Sequence, residues 1–376
     1  MLDQPGGTVG PDVVVPGSQQ LLPGVFLLLA LLAVVVLVAL LVRRVWRSSR
    51  GRTSGRPIGV AVAGAAVLVL GAATWITRPP PFFVPELGAL PTLMPEDNVF
   101  RRTVTDLPVA VDSGRWISTI DDLPLTPGFG GTVVSGVVFG IPYNFVDDRT
   151  PRYDVDIVRW TDSSFRGPYP ITDPAYIQSM PTYGFDMHYI GIDTSTSEVW
   201  ELLSVRRWFG RWEADSGGRY RTDSNDYPEG STIAAGLPLL PGTVTYDEVA
   251  AGTVGHVLLG AAPTTAKDRW IWPAVATDGP SADPDAPPQG AWLRLRADAD
   301  LSELGPQARV IAQGLQRYGM ILSDTGPRFG LSGTPDARWD DGDLRTLSTL
   351  TAGDFEVVDP SGIVVDPGRL AVRPPA

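Results

Sequence analysis

Hydrophobic and polar positions divide this chain into two unlike parts. Residues 21–42 and 58–76 are nearly unbroken apolar stretches, whereas from about residue 101 onward apolar residues come in short runs cut by Gly, Pro, Asp and Ser. The first stretch has 22 residues, 17 of them Leu, Val or Phe, and such residues each favour membrane insertion by roughly 0.3–0.6 kcal/mol at a helix centre. The second has 19 residues, which at about 1.5 Å rise each approaches the roughly 30 Å hydrocarbon thickness of a bilayer. The pattern predicts a membrane hairpin. A short tail (1–20) leads into transmembrane helix 21–42, a connector (43–57) and transmembrane helix 58–77. A cleaved signal peptide is a poorer match, because no basic region precedes the first apolar core and that core is too long. Gly59 with Ala63 and Ala61 with Ala65 give the small-residue spacing that lets two membrane helices approach, so helix–helix self-association is also expected.

The connector carries Arg43, Arg44, Arg47, Arg50, Arg52 and Arg56 and no acid, while residues 1–42 have only Asp3 and Asp12 as charged side chains. Positive charge is retained on the cytoplasmic side, so the expected location is the cell membrane, two-pass, with both termini extracytoplasmic. The segment 78–100 contains PPPFFVPELGALP and reads as a proline-rich linker between membrane and exterior domain.

Residues 101–376 read as the exterior domain. Runs such as DVDIVRW, MHYIGID, EVWELLSV, HVLLGA, WIWPAV, AWLRLRA and FEVV, separated by turn residues, predict a mainly β fold. In DVDIVRW, Val155 and Ile157 alternate with Asp154 and Asp156, as in a strand with one face buried. The expected architecture is an antiparallel β-sandwich-like domain with one or two short helices. One helix starts at Pro306, repeats Val310, Ile311, Leu315 and Tyr318 at helical spacing and stops at Gly319; a second is expected over 344–350. The polar loop 277–290 is long enough to suggest a functional or mobile segment.

Charge and composition narrow the partners. Beyond residue 78 the chain holds 40 acids against 23 bases, a formal charge of −17, which repels nucleic acid and anionic headgroups. The absence of cysteine excludes disulfides, iron–sulfur clusters and thiolate zinc sites. No HExxH, GxSxG, Walker or GxGxxG motif occurs. No cofactor is expected; a divalent cation such as calcium is the one candidate, since TDSNDYPEG and RADADL are acidic loops, although neither has EF-hand spacing.

The two histidines, His188 and His256, fall in predicted strands. A hairpin of MHYIGID with EVWELLSV, turning at Ser195 and Thr196, pairs Asp193 with Glu198, Ile190 with Glu201 and His188 with Leu203. Asp186, His188 and Glu201 then share a face, and two carboxylates with an imidazole could do acid–base work or hold a metal of unknown identity. A one-residue slip would dissolve the group. His256 follows YDEV, whose Asp247 and Glu248 add two carboxylates. Asp186, His188, Glu201 and His256 are therefore the candidate catalytic residues. Trp208, Trp212 and Trp272 are candidate glycan-binding residues, because aromatic faces stack on the apolar faces of sugars while carboxylates take their hydroxyls.

AAGLPLLPGTVTYDEV, WIWPA, QRYGMILSDTG, SGTPDARWDDGDL and GDFEVV, in that order, resemble an exported, uncharacterised, β-rich bacterial family found mainly in actinobacteria. The resemblance runs from about Trp116 to Val358. The family's Asp-Arg-His motif is matched by Asp186, Met187 and His188, and its Trp-Pro-Ala-Arg-His motif by Trp272, Pro273, Ala274, Val275 and Ala276, so the second arginine–histidine pair is absent. The resemblance implies an exported domain and directs interest to His188, His256, Asp324 and Trp339, the last two as further candidate glycan-binding residues; it supplies no reaction. Taken together, the sequence suggests a membrane-anchored extracytoplasmic β domain that binds an envelope or extracellular glycan, a polysaccharide, without turnover. The alternatives are a glycoside hydrolase or lyase using Asp186, His188 and Glu201, and a structural component of a membrane assembly.

Overall fold

The hairpin around DTSTSE shows how local sequence sets the register of the central sheet. Asp193 Oδ1 accepts hydrogen bonds from Ser195 N at 2.9 Å, Ser195 Oγ at 2.6 Å and Thr196 N at 3.3 Å, and Ser197 takes a positive φ of 59°. This side-chain turn closes strands β8 (Tyr189–Asp193) and β9 (Glu198–Leu203) with Asp193 opposite Glu198 and Ile190 opposite Glu201, as the sequence predicts. With β12 (Ser216–Arg221) and β4 (Asn144–Phe145) they form a sheet of order β12-β9-β8-β4.

The chain is described from a computed structural model, which covers residues 84, 87–134, 137–179, 186–208 and 210–375. Both apolar stretches and the arginine-rich connector lie outside the described residues. Among the described residues no helix is long and apolar enough to cross a membrane.

A second, six-stranded sheet has the order β1-β16-β13-β15-β14-β17, built from β1 (Thr126–Pro127), β13 (Leu258–Ala262), β14 (Trp292–Leu295), β15 (Met320–Thr325), β16 (Gly330–Leu331) and β17 (Phe355–Val358). Smaller ladders join β10 (Arg206–Trp208), β11 (Arg211–Ala214) and β6 (Val155–Ile157); β2 (Val133–Val134) and β3 (Val137–Val138); and β5 (Arg152–Tyr153) and β7 (Tyr169–Pro170). The fold is mainly β, with several sheets and few helices. Its sheets are mixed rather than antiparallel throughout, since β1–β16, β13–β15, β4–β8 and β6–β11 pair in parallel. Alternation of apolar residues reports which face is buried and carries no information about strand direction, so this feature was not readable from the pattern.

That alternation does divide the interior into layers. From the six-stranded sheet, Leu258, Leu293, Met320, Leu322 and Val357 join one core, and Leu259, Trp292, Ile321 and Val358 join another. The first core is closed by helix α3 (Pro306–Arg317), which buries Ala308, Ile311, Ala312 and Leu315. The second is shared with Ile190, Ile192, Val199 and Tyr220 of the four-stranded sheet, so it lies between the two sheets. The opposite face of the four-stranded sheet, with Tyr189, Trp200 and Leu202, packs on Tyr169, Ile171 and Trp212.

Helix α3 begins at Pro306, as expected, and its exposed amide ends are capped from outside. Gln307 N and Ala308 N donate to the Asp343 carboxylate at 2.8 and 3.0 Å. It stops at Gly319, whose φ of +71° is a left-handed conformation; a Cβ there would lie 2.5 Å from the Leu293 carbonyl oxygen. The other α-helices among the described residues are α1 (Ser113–Ser118), α2 (Tyr246–Ala250) and α4 (Asp341–Arg345). Helix α4 starts earlier than the expected 344–350 because Asp340 caps Gly342 N and Asp343 N.

Two further expectations change. WIWPAV forms no strand, only an isolated bridge from Trp270 to Gln289. The folded domain also begins before Arg101. Leu87, Leu90 and Leu93 pack against the inter-sheet core, Val99 and Phe100 are buried in it, and Val99 N donates to Leu370 O at 2.8 Å. The proline-rich composition that suggested a free linker over 78–100 therefore gives way, from Leu87 on, to a leucine-bearing arm that covers the core.

Candidate functional site

The motif LPLLPGTVTYDEV builds one wall of a cleft of about 350 Å³. Its 3-10 turn, Leu240–Gly242, is held from beneath by Glu201, whose Oε1 accepts from Leu239 N and Leu240 N, both at 3.1 Å. Beyond that turn, Thr245 and Glu248 form a capping box at the start of α2: Thr245 N donates to Glu248 Oε1 at 2.6 Å. The box points the Glu248 carboxylate toward the cleft. The opposite wall comes from the arm, with Leu90 and Leu93, and from Arg101 at the end of the 3-10 turn Val99–Arg101. Val257 N donates to Phe100 O at 2.8 Å, which seats Arg101 beside His256.

His256 is held at both nitrogens. Nδ1 lies 2.9 Å from Val257 O, and because a carbonyl only accepts, Nδ1 carries a proton. Nε2 lies 3.1 Å from Glu248 Oε2. Burial pushes the imidazole toward its neutral form, but the Glu248 charge, its hydrogen bond and the Val257 carbonyl together outweigh this and hold the His256 pKa above the ordinary histidine value, against a smaller opposing effect of Arg101. The result is a histidine–carboxylate pair inside a concave site, in which the charged imidazole is favoured. Around it, Thr243, Thr245 and Thr253 line the cleft with Arg101, which among the described residues has no carboxylate within ion-pair distance; its Nη1 reaches Gly255 O at 3.5 Å. Asp247 is bound to Arg338 at 2.8 Å, and that guanidinium lies 4.2 Å over the Tyr246 ring and 2.6 Å from Asp336.

Neither histidine lies within a strand: His188 directly precedes β8, and His256 stands two residues before β13. Glu201 and His188 are both buried, at 1% and 4% exposure, while Asp186 is exposed. Glu201 Oε1 also accepts from Tyr220 Oη at 2.8 Å, and Oε2 from Thr232 Oγ1 at 2.9 Å, so four protein donors occupy this carboxylate. Burial pushes its pKa up and those hydrogen bonds act against the rise. Burial lowers the His188 pKa, with Asp186 acting in the opposite sense, and His188 Nδ1 has no partner among the described residues.

Asp324 is partly buried at the end of β15. Burial, then the charges of Asp278 and Asp186, push its carboxyl well above the carboxylate range. Asp186 thus acts electrostatically on both His188 and Asp324, and Asp278 from the polar loop 277–290 acts on Asp324, whereas His256 belongs to the cleft. The aromatic candidates are dispersed. Trp339 is buried, donates from Nε1 to Thr334 O at 2.9 Å and packs on Phe129 and Tyr246. Trp212 is buried against Tyr153 with the Arg207 guanidinium 5.3 Å over its ring. Trp272 is half-buried and donates to Arg369 O at 3.2 Å. Trp208 pairs through its backbone with Arg211 in the β10–β11 ladder. The exposed tryptophans among the described residues are Trp160 and Trp270.

Sequence reasoning did not single out Arg101, Asp278 or Gln289. The Thr-x-x-Glu signature at Thr245–Glu248 was a legible signal for the Glu248 position, since it marks a helix start. No such local signal exists for Arg101, which reaches His256 through a tertiary contact. In the acidic loops, Asp223 is paired with Arg221 and Asp300 accepts from Ser302 N; among the described residues no three acidic or imidazole side chains converge as a metal-binding group. Compared with protein-family models, with curated proteins and with solved structures, this chain finds no match.

Proposed function

We propose that the chain displays a two-sheet, sandwich-like binding domain on the outer side of a membrane through its N-terminal apolar hairpin, and that the cleft at His256 takes a hydroxyl-rich ligand, a saccharide of an envelope or extracellular glycan, without turning it over. The arginine-rich connector between two apolar stretches supports the orientation. The observation that carries the binding reading is the cleft itself: an ion pair, Glu248–His256, and the Arg101 guanidinium sit among threonine hydroxyls and leucine and proline side chains in one concavity. Sugars present this mixture of polar edges and apolar faces. Absence of turnover is supported by the state of the candidate acid–base groups. Glu201 is occupied by four protein donors, and both nitrogens of His256 are engaged.

The test is a glycan array combined with a hydrolysis screen, using the full chain in detergent micelles beside His256→Ala and Glu201→Gln. Saturable binding lost in His256→Ala, retained in Glu201→Gln and unaccompanied by product supports the reading. Product that disappears in Glu201→Gln overturns it in favour of a glycosidase or lyase.

A further inference from the structure

The charged side chains lining the cleft are Arg101, Asp247, Glu248 and His256, and their pairings leave one of them over. Glu248 is engaged by His256 at 3.1 Å and by Thr245 N at 2.6 Å, and Asp247 by Arg338 at 2.8 Å. The one hydrogen bond that Arg101 makes among the described residues, from Nη1 to Gly255 O, is stretched to 3.5 Å, near the limit at which such a contact counts. The side chain is half-buried. Its neighbour Arg102 shows the contrast: that side chain is 2% exposed and bound to Asp106 at 2.7 Å.

Arg101 is nonetheless held in place. The 2.8 Å bond from Val257 N to Phe100 O fixes its backbone against the segment that carries His256, and its charge is felt at the imidazole, where it opposes protonation. Guanidinium and imidazole thus share one concavity in which Glu248 answers the imidazole and nothing answers the guanidinium.

A guanidinium is permanently charged and offers N–H donors in a planar fork that matches the two oxygens of a carboxylate. A neutral hydroxyl would leave that charge unbalanced, whereas a phosphate monoester, with a charge of about −1.5 to −2 near neutral pH, exceeds what Arg101 can balance beside Glu248. The exterior part is acidic, at −17 beyond residue 78, but such diffuse repulsion is screened beyond about 8 Å at physiological ionic strength. Contact with Arg101 escapes that screening, so one carboxylate on an otherwise neutral sugar suits the cleft better than a polyanion. Leu90, Leu93, Leu240 and Pro241 offer apolar surface to the sugar ring.

We propose that the cleft selects a saccharide bearing one carboxylate, a uronic acid residue of a glycan, whose carboxylate pairs with the Arg101 guanidinium. This rests on the saccharide reading of the cleft and narrows it to a chemical class.

The test is calorimetric titration of the full chain in detergent micelles with methyl glycosides in matched pairs: those of glucuronic, galacturonic and mannuronic acid beside those of glucose, galactose and mannose. At least one acid should bind saturably and about tenfold tighter than its neutral partner, as one charge-assisted hydrogen bond implies. Arg101→Gln should erase that preference. Arg101→Lys, which keeps the charge and loses the fork, should retain part of it and carries the test should Arg101→Gln fail to fold. Neutral members that bind as tightly as their acids overturn the inference; if that binding is lost in His256→Ala, the saccharide reading itself stands. An acid preference unchanged in Arg101→Gln overturns it as well, because the carboxylate would then sit elsewhere. Tighter binding of a sulfate or phosphate ester of the same sugar overturns the choice of carboxylate, and absence of saturable binding by every acid overturns the whole inference.

Discussion

His188 and His256 stand in matching positions, each just before a strand and each largely enclosed, yet burial prevails at one and not at the other. At His188 nothing among the described residues engages Nδ1, and burial moves the pKa down. At His256 the same burial is outweighed by Glu248 and the Val257 carbonyl, and the pKa moves up. Two glutamates divide in parallel. Glu201 is enclosed between the sheets by four donors, while Glu248 caps a helix start and faces a cleft. Histidines and carboxylates that look alike in sequence therefore serve different ends: one set braces the interior, and the other presents charge to whatever enters the cleft.

The largest effect that could break this contrast concerns Glu201. Glu201→Ala leaves two backbone amides and two hydroxyls without an acceptor in a buried site and should lower stability by about 3–5 kcal/mol. Glu201→Gln should cost less than about 1.5 kcal/mol, because an amide oxygen can replace Oε1 and the Thr232 hydroxyl can reverse to accept from the amide nitrogen. Denaturant unfolding of both variants is the check. Equal losses would mean that charge, not hydrogen bonding, holds the Leu239–Leu240 turn.

A smaller effect sharpens the comparison through pH. A histidine whose folded pKa is raised adds stability that is complete below its unfolded value, about 6.5, and is lost as pH rises through the folded value. His188, with a lowered pKa, does the reverse: its neutral form is favoured, and stability falls as pH drops below about 6.5. Glu248→Gln keeps an acceptor for Thr245 N and removes only the charge at His256. Its stability should therefore fall by about 1 kcal/mol near pH 5.5 and converge on the parent protein as pH rises through the folded value of His256. Thermal unfolding of the two proteins across that range measures the difference, and a deficit that grows with pH would contradict the ion pair.

Much of this was legible along the chain where the interactions are local. The Asp193–Glu198 register, the helix from Pro306 to Gly319 and the burial of Val155 follow from turn chemistry, capping and period. The strand MILSDT escaped notice because its apolar run follows closely on the helix ending at Arg317, with only Tyr318 and Gly319 between them. The mixed strand directions, the neighbours of Asp324 and the seating of Arg101 beside His256 all depend on contacts between distant segments, which no window of sequence contains. Trp339 and Trp212 illustrate the same limit, since composition cannot distinguish a tryptophan that fills a core from one that offers its face.

The most direct test of the contrast is nitrogen-detected NMR of the two imidazoles in the full chain, recorded with and without a saccharide that the array identifies. The account predicts a His256 that stays doubly protonated to higher pH than His188 and whose nitrogens shift on addition of the saccharide, beside a His188 that does not respond. A responding His188 with an indifferent His256 would contradict it.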